Sequence, residues 1–210
     1  NWFKDESYAY QVENIRFADG TVWDAAAIKQ MALQGTAGDD ILTGYSSGDT
    51  IQGLAGNDTI NGLTGDDIID GGAGNDVLYG GQGNDTYLFG RGSGQDYISD
   101  NDATPGNLDT ILLAADVAPS DIVLKRDYDD LVLSVSGTND TVRVGGWFAS
   151  DAGESQVERI QFADGTVWDA AFIKHALLQG TAGDDYLIGY GTDDVLDGGA
   201  GNDTLIGKTG

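Results

Sequence analysis

Aspartate recurs at every ninth residue in two runs, Asp40, Asp49, Asp58, Asp67, Asp76 and Asp85, then Asp185, Asp194 and Asp203. A glycine stands five residues before each one, from Gly35 to Gly80 in the first run and at Gly180, Gly189 and Gly198 in the second. Carboxylates set this regularly among glycine-rich turns offer hard oxygen donors, from side chains and from peptide carbonyls. No histidine or cysteine occupies a repeat position. Such a donor set selects calcium over zinc or copper, and magnesium is disfavoured because it demands near-ideal octahedral geometry and sheds water reluctantly. The nine aspartates are therefore the candidate metal ligands, with glycine-loop carbonyls expected to complete each shell. The same carboxylates could in principle form a glycosidase pair, but strict nine-residue spacing points to a structural metal.

The unit that must position them reads Gly-x-x-Gly-x-Asp-x-apolar-x, most clearly at Gly71–Tyr79 and Gly80–Leu88. Its last three residues alternate as a very short strand does, so Leu42, Ile51, Ile60, Ile69, Leu78 and Tyr87 are expected to point inward. The glycine-rich remainder turns the chain, and two units close one coil. Residues eighteen apart then stack about 4.8 Å apart. That places Asp40, Asp58 and Asp76 along one edge, Asp49, Asp67 and Asp85 along the other, and Asp185 over Asp203 in the second block. Two like charges about 4 Å apart repel by about 1 kcal/mol in water and about 4 kcal/mol at an effective dielectric near 20. A cation is expected between successive carboxylates, giving four full sites in the first block and one in the second. Six inward apolar side chains are too few to offset the backbone entropy of so much glycine. Metal binding is thus expected to supply the folding energy, leaving the run disordered without calcium.

The repeat resembles the haemolysin-type (RTX) calcium-binding nonapeptide. The resemblance implies an all-β fold, a right-handed parallel β-roll, in a large protein exported by a type I system from a Gram-negative bacterium. In that setting the chain stays unfolded at low cytosolic calcium and folds outside the cell, acting as a spacer or secretion-coupled folding element of an adhesin or toxin.

A longer period encloses the short one. A shift of about 145 residues superimposes Trp2-Phe3 on Trp147-Phe148, Phe17–Asp24 on Phe162–Asp169 and Gly35 on Gly180. The segment before each roll therefore repeats, and Asp130–Leu133, Trp147-Phe148 and Ile160–Trp168 resemble the haemolysin-type calcium-binding-related domain that accompanies such rolls. The expected division is the end of one flanking domain at 1–34, a β-roll at 35–99, a β-rich flanking domain with a short helix at 100–179, and the start of a second roll at 180–210. Within the flanking domain, Thr110–Leu113, Ile122–Leu124, Leu131–Val135 and Thr141–Val144 read as antiparallel strands. Asp164-Gly165 reads as a hairpin turn, and Asp169 as the cap of a helix carrying Phe172, Ile173, Ala176 and Leu177 that Gly180 ends. The flanking domain is expected to close an open end of the roll, which would otherwise expose strand edges. Asp96, in an irregular unit with an insertion, is a weaker ligand candidate, and Asp39 and Asp184 suit either a first metal site or solvation.

Net charge is −25, from 35 acidic and 10 basic residues, with 33 glycines and no cysteine. This excess of acid disfavours nucleic acid and anionic membrane as partners, and no apolar run is long enough to span a bilayer. Asn1 is no initiator, and the last unit stops midway at Gly210, so the sequence reads as an internal piece of a longer chain. No catalytic motif is present: His175, the lone histidine, corresponds to Gln30 in the first copy, which argues against an imidazole-dependent enzyme. Trp2, Trp23, Trp147 and Trp168 read as core packing rather than a sugar platform. The outward positions Ile41, Thr59, Val77 and Thr50, Ile68, Thr86 form no ladder of like residues for ice. A glycan or cell-surface ligand remains an expected partner class beside calcium, with the type I secretion apparatus engaged through parts outside this sequence.

Overall fold

The computed structural model describes residues 14–102, 104–149 and 157–209. Trp2 and Phe3 lie outside them. The chain opens with a hairpin, β1 (Asn14–Arg16) and β2 (Val22–Asp24), then helix α1 (Ala25–Ala32). Asp24 caps the helix by accepting from the Ala27 amide, which satisfies one of the free N–H groups of a first turn.

Seven short strands follow, wound as the roll: β3 (Ile41–Thr43), β4 (Thr50–Gln52), β5 (Thr59–Thr64), β6 (Ile68–Asp70), β7 (Val77–Gln82), β8 (Thr86–Phe89) and β9 (Gln95–Ile98). Odd strands pair in parallel with odd, and even with even. Ile41 lies beside Thr59 and Ile51 beside Ile69, a register of eighteen residues, so two units do close one coil. The six expected inward side chains are all buried, between two sheets.

The remaining strands are β10 (Thr110–Leu113), β11 (Ile122–Asp127), β12 (Asp130–Val135), β13 (Thr141–Val144), β14 (Arg159–Gln161) and β15 (Val167–Asp169), then helix α2 (Ala170–Ala176). Here the antiparallel expectation needs correction. β10 adds to β8 in parallel, β14 adds to β10 in parallel, and β13 adds to β9 in parallel. Only β11–β12–β13 and the β14–β15 hairpin are antiparallel. The flanking strands thus prolong both sheets of the roll, in the orders β4–β6–β8–β10–β14–β15 and β3–β5–β7–β9–β13–β12–β11. Parallel edges exposed by β8 and β9 are covered, and one buried cluster runs unbroken from Leu33 through the roll to Ile173. Trp147 is its largest fully buried member, its indole N–H donating to the Val157 carbonyl.

Gly165, at φ 90°, turns the β14–β15 hairpin as its Asp-Gly pair suggests. Gly180 does not end α2, which closes at Leu177 through amide bonds to His175 and Ile173 carbonyls. Gly180 instead donates to the Asp197 carbonyl and opens the second roll, built of β16 (Tyr186–Ile188) paired in parallel with β17 (Thr204–Ile206). Among the described residues no helix is long and apolar enough to cross a membrane.

Candidate metal centre

Each repeat aspartate sits just before its strand, at the rim where turn meets sheet. The backbone amide of Asp58 donates to Asp76 Oδ1 of the next coil, as Asp40 does to Asp58, Asp49 to Asp67, Asp67 to Asp85 and Asp185 to Asp203, at 2.8–3.0 Å. One oxygen of each of these carboxylates is therefore held by the peptide of the coil beneath. The stack is not purely repulsive, because an oriented N–H lies against each successive carboxylate.

The second oxygen behaves differently in inner and outer coils. Asp58, Asp67, Asp76 and Asp85 are each 1% exposed, and their Oδ2 atoms are buried with no hydrogen-bond partner in the protein. In the outer coils, Asp40 Oδ2 accepts from the Thr36 amide and hydroxyl, Asp185 from those of Thr181, Asp49 from the Tyr45 amide and Asp194 from the Tyr190 amide. The cause lies four residues before each aspartate. Inner coils place Leu54, Leu63, Gly72 and Gly81 there at φ 77–109°, and that turn swings the N–H away, as in Leu63, which donates to Asn61 Oδ1. The first coil of each roll lacks the left-handed residue, so the amides of Thr36, Tyr45, Thr181 and Tyr190 fold back onto their own aspartates, whereas Gly199, four residues before Asp203, is left-handed at φ 77° and donates to Asp197 Oδ1.

Glycine at the first unit position is also required by space. A Cβ on Gly53 would lie 2.2 Å from Asp58 Oδ2 and 2.4 Å from the Gly71 carbonyl oxygen, and one on Gly62 would lie 2.2 Å from Asp67 Oδ2 and 2.6 Å from the Gly80 carbonyl. Carboxylate and carbonyl oxygens therefore converge where a side chain would stand. Buried, unpaired oxygens cost several kcal/mol when charged. A hard, oxygen-seeking divalent ion fits this donor set, and calcium fits best because it tolerates mixed carboxylate and carbonyl ligands in flexible geometry.

Burial raises the carboxyl pKa values accordingly: Asp67 to about 6, with Asp49 and Asp66 adding negative charge nearby, and Asp85 to about 7, with Asp109 and Asp67 adding theirs. Asp76 is raised for the same reasons.

The columns extend past the nine-residue pattern. Asp96 Oδ1 accepts from the Asp76 amide, and Asp109 Oδ1 from the Asp85 amide. Asp96 thus takes the next place in the first column, and its pKa is raised to about 8 by burial and the carboxylates of Asp76 and Asp140. The Asp109 amide in turn donates to Glu158 Oε2, while the first column ends at Val142, which lies beside Asp96. Spacing alone could not reveal Asp109 or Glu158, because they follow an insertion and an entire domain. Their one signal is the residue type immediately before a predicted apolar strand.

Asp39 and Asp184 act as backbone acceptors, from the Asn57 and Asn202 amides of the next coil. Asn57 and Asn75 continue that ladder by accepting from Asn75 and Gln95. His175 is exposed. Trp168 packs partly buried against the core and meets Phe162 edge-on, whereas Trp23 is 37% exposed beside Phe17.

Family models match both the rolls and the flanking segments. The RTX calcium-binding nonapeptide repeat matches four times, at residues 33–60, 52–87, 61–98 and 177–207. The haemolysin-type calcium binding protein related domain matches 1–27 and 130–171. The iron-regulated protein FrpA of Neisseria meningitidis serogroup C is 36% identical over 112 residues, which are 53% of this chain and 10% of that protein. The chain therefore spans about a tenth of that relative's length. A solution structure of the AlgE6R3 subunit of the Azotobacter vinelandii mannuronan C5-epimerase is 27% identical, covers 65% of this chain and 83% of its own, and superposes with a TM-score of 0.42. With its nonapeptide rolls bound to related domains and its repeats binding calcium in multiple copies, the chain belongs to the haemolysin-type (RTX) calcium-binding family.

Proposed function

We propose that this chain is a calcium-folded structural module of an exported protein, disordered when calcium is scarce and wound into its roll outside the cell. The observation that carries the reading is the set of four buried, unpartnered aspartate oxygens in the inner coils, which no side chain or peptide of the described residues satisfies. Asp40, Asp49, Asp58, Asp67, Asp76 and Asp85 in the first roll, and Asp185, Asp194 and Asp203 in the second, are the proposed carboxylate ligands, with the inner four as the strongest. The role is mechanical rather than catalytic: the module spaces or stiffens a longer extracellular protein of a Gram-negative bacterium, and its folding at the exit of a type I system biases transport outward. Affinities of about 10⁻⁴ to 10⁻³ M, typical of extracellular calcium modules, suit that switch.

Circular dichroism during a calcium titration tests the folding claim. The chain in excess chelator should give a disordered spectrum that converts cooperatively to β structure as calcium is added. A β spectrum already complete in chelator would refute it. Transport is tested separately: secretion rates that are equal with and without external calcium would remove the exit-folding role.

A further inference from the structure

At the junction of roll and flanking strands, Asp85, Asp100 and Asp109 bring carboxylate oxygens within 4.8 Å of one another, and all three residues are buried. Two oxygens of these carboxylates, Asp85 Oδ2 and Asp100 Oδ1, are buried without a hydrogen-bond partner. The surrounding donors are neutral. Tyr87 Oη donates to Asp100 Oδ2 at 3.2 Å, Asn107 Nδ2 to Asp109 Oδ2 at 2.7 Å and the Asp85 amide to Asp109 Oδ1 at 2.7 Å. No salt bridge found among the described residues reaches the group.

The repeat gaps pair two aspartates eighteen residues apart. Here Asp109 follows Asp85 by 24 residues, and the insertion that breaks the period also delivers Asp100. We propose that Asp100 joins Asp85 and Asp109 in binding one calcium ion in the gap that Asp109 adds to the column beyond the regular repeat, and that this ion pins the excursion between β9 and β10 and so fastens the flanking sheet to the roll. The proposal rests on the calcium-module reading for the identity of the ion and on its own geometry for the site.

Three carboxylates around one divalent ion give it more ligand charge than any two-aspartate gap, and ligand charge tunes calcium affinity. The site is therefore the tightest of the chain and fills first. The ion also closes the 99–109 segment, whose loop entropy it removes. Tyr87 is fully buried and donates its hydroxyl to Asp100 Oδ2. It positions Asp100 without competing for the metal.

The test counts calcium on the full chain by native mass spectrometry and isothermal titration, for the wild type, Asp100→Asn and Asp58→Asn. Asp100→Asn should bind one ion fewer than the wild type and lose the tightest phase, weakened by at least the roughly 10- to 100-fold that removal of an outer-shell partner already costs. Its remaining sites should be unchanged, whereas Asp58→Asn should retain the tightest phase. An Asp100→Asn chain that binds the same number of ions with the same affinities overturns the proposal. Should the variant fail to fold, a crystal of the wild-type chain grown with terbium decides. An anomalous peak among the three carboxylates supports the site. Peaks in the repeat gaps with none here overturn it while the calcium-module reading stands, and a chain that binds no calcium anywhere overturns both.

Discussion

At the scale of single residues, the position of an aspartate within the stack decides what it does. Asp67 holds the Asp49 amide with one oxygen and keeps the other buried and unpaired. Asp49 is half-buried, and its Oδ2 already accepts from Tyr45. Asp67→Ala should therefore orphan a peptide N–H, costing about 1–3 kcal/mol, and also remove a metal ligand. Asp49→Ala also removes a proposed ligand and the partly exposed bond from Tyr45, worth about 1 kcal/mol, but should cost less than Asp67→Ala, because Asp67 borders two gaps of its column and Asp49 only one. Thermal unfolding in saturating calcium checks the pair, and equal losses for the two variants would contradict the distinction between inner and outer coils. Gly72 offers an independent probe of the turn. Its φ of 90° and the 2.1 Å approach of a would-be Cβ to the Leu54 carbonyl make Gly72→Ala strained in both dihedral and space, at a cost of at least about 1 kcal/mol. A melting temperature for Gly72→Ala equal to the wild type's would show that the turn tolerates a side chain.

At the scale of elements, the decisive feature is that the flanking strands are sheet members. β10 and β13 hydrogen-bond to β8 and β9 along their lengths, and Trp147 belongs to the same buried cluster as Ile51 and Ile69. Strain or a cavity in the flank is therefore felt in the roll. Trp147→Ala should destabilise by about 3–5 kcal/mol, and should do so in a single unfolding transition that includes the roll. Calorimetry in calcium reads this directly. Two separate transitions, with the roll's unmoved, would mean that the sheets are continuous in pairing but not in cooperativity. Arg143 adds a fastening within the flank, its guanidinium bridging Asp127 and Asp130, and this half-exposed pairing contributes little beside the buried tryptophan.

At the scale of the whole molecule, charge and metal are coupled. The net charge of −25 opposes compaction until cations bind, and monovalent salt screens that charge without supplying ligands to buried oxygens. The raised carboxyl pKa values set the sign of the pH dependence. Asp67, Asp85 and Asp96 titrate at about 6, 7 and 8 in the metal-free fold, against about 3.9 in an unfolded chain. The folded form thus binds more protons, and the protonated groups support the metal-free fold fully below about pH 4, a support lost as pH rises through 6 to 8. In chelator, lowering the pH from 8 to 5 should increase β structure by circular dichroism. In calcium the trend should reverse, because protons displace the metal from its carboxylates. A metal-free chain that becomes less ordered on acidification would contradict the burial of these carboxylates.

The nine-residue spacing by itself determined the coil, the inward row from Leu42 to Tyr87 and the run of aspartates at its rim, because a repeat of turn plus strand reports both geometry and chemistry locally. The cap at Asp169, which accepts from the Phe172 amide as its counterpart Asp24 does from Ala27, and the Asp164-Gly165 turn were legible for the same reason, since each is a contact within a few residues. Tertiary structure alone decided the rest. The parallel entry of β10, β13 and β14 into the roll depends on pairing between strands separated by insertions, which no local pattern encodes. The addition of Asp96, Asp109 and Glu158 to the columns, and the meeting of Asp100 with Asp85, follow from that pairing. The split between inner and outer aspartates rests on backbone dihedrals four residues away, where threonine or tyrosine turns the amide inward and a left-handed leucine or glycine turns it out.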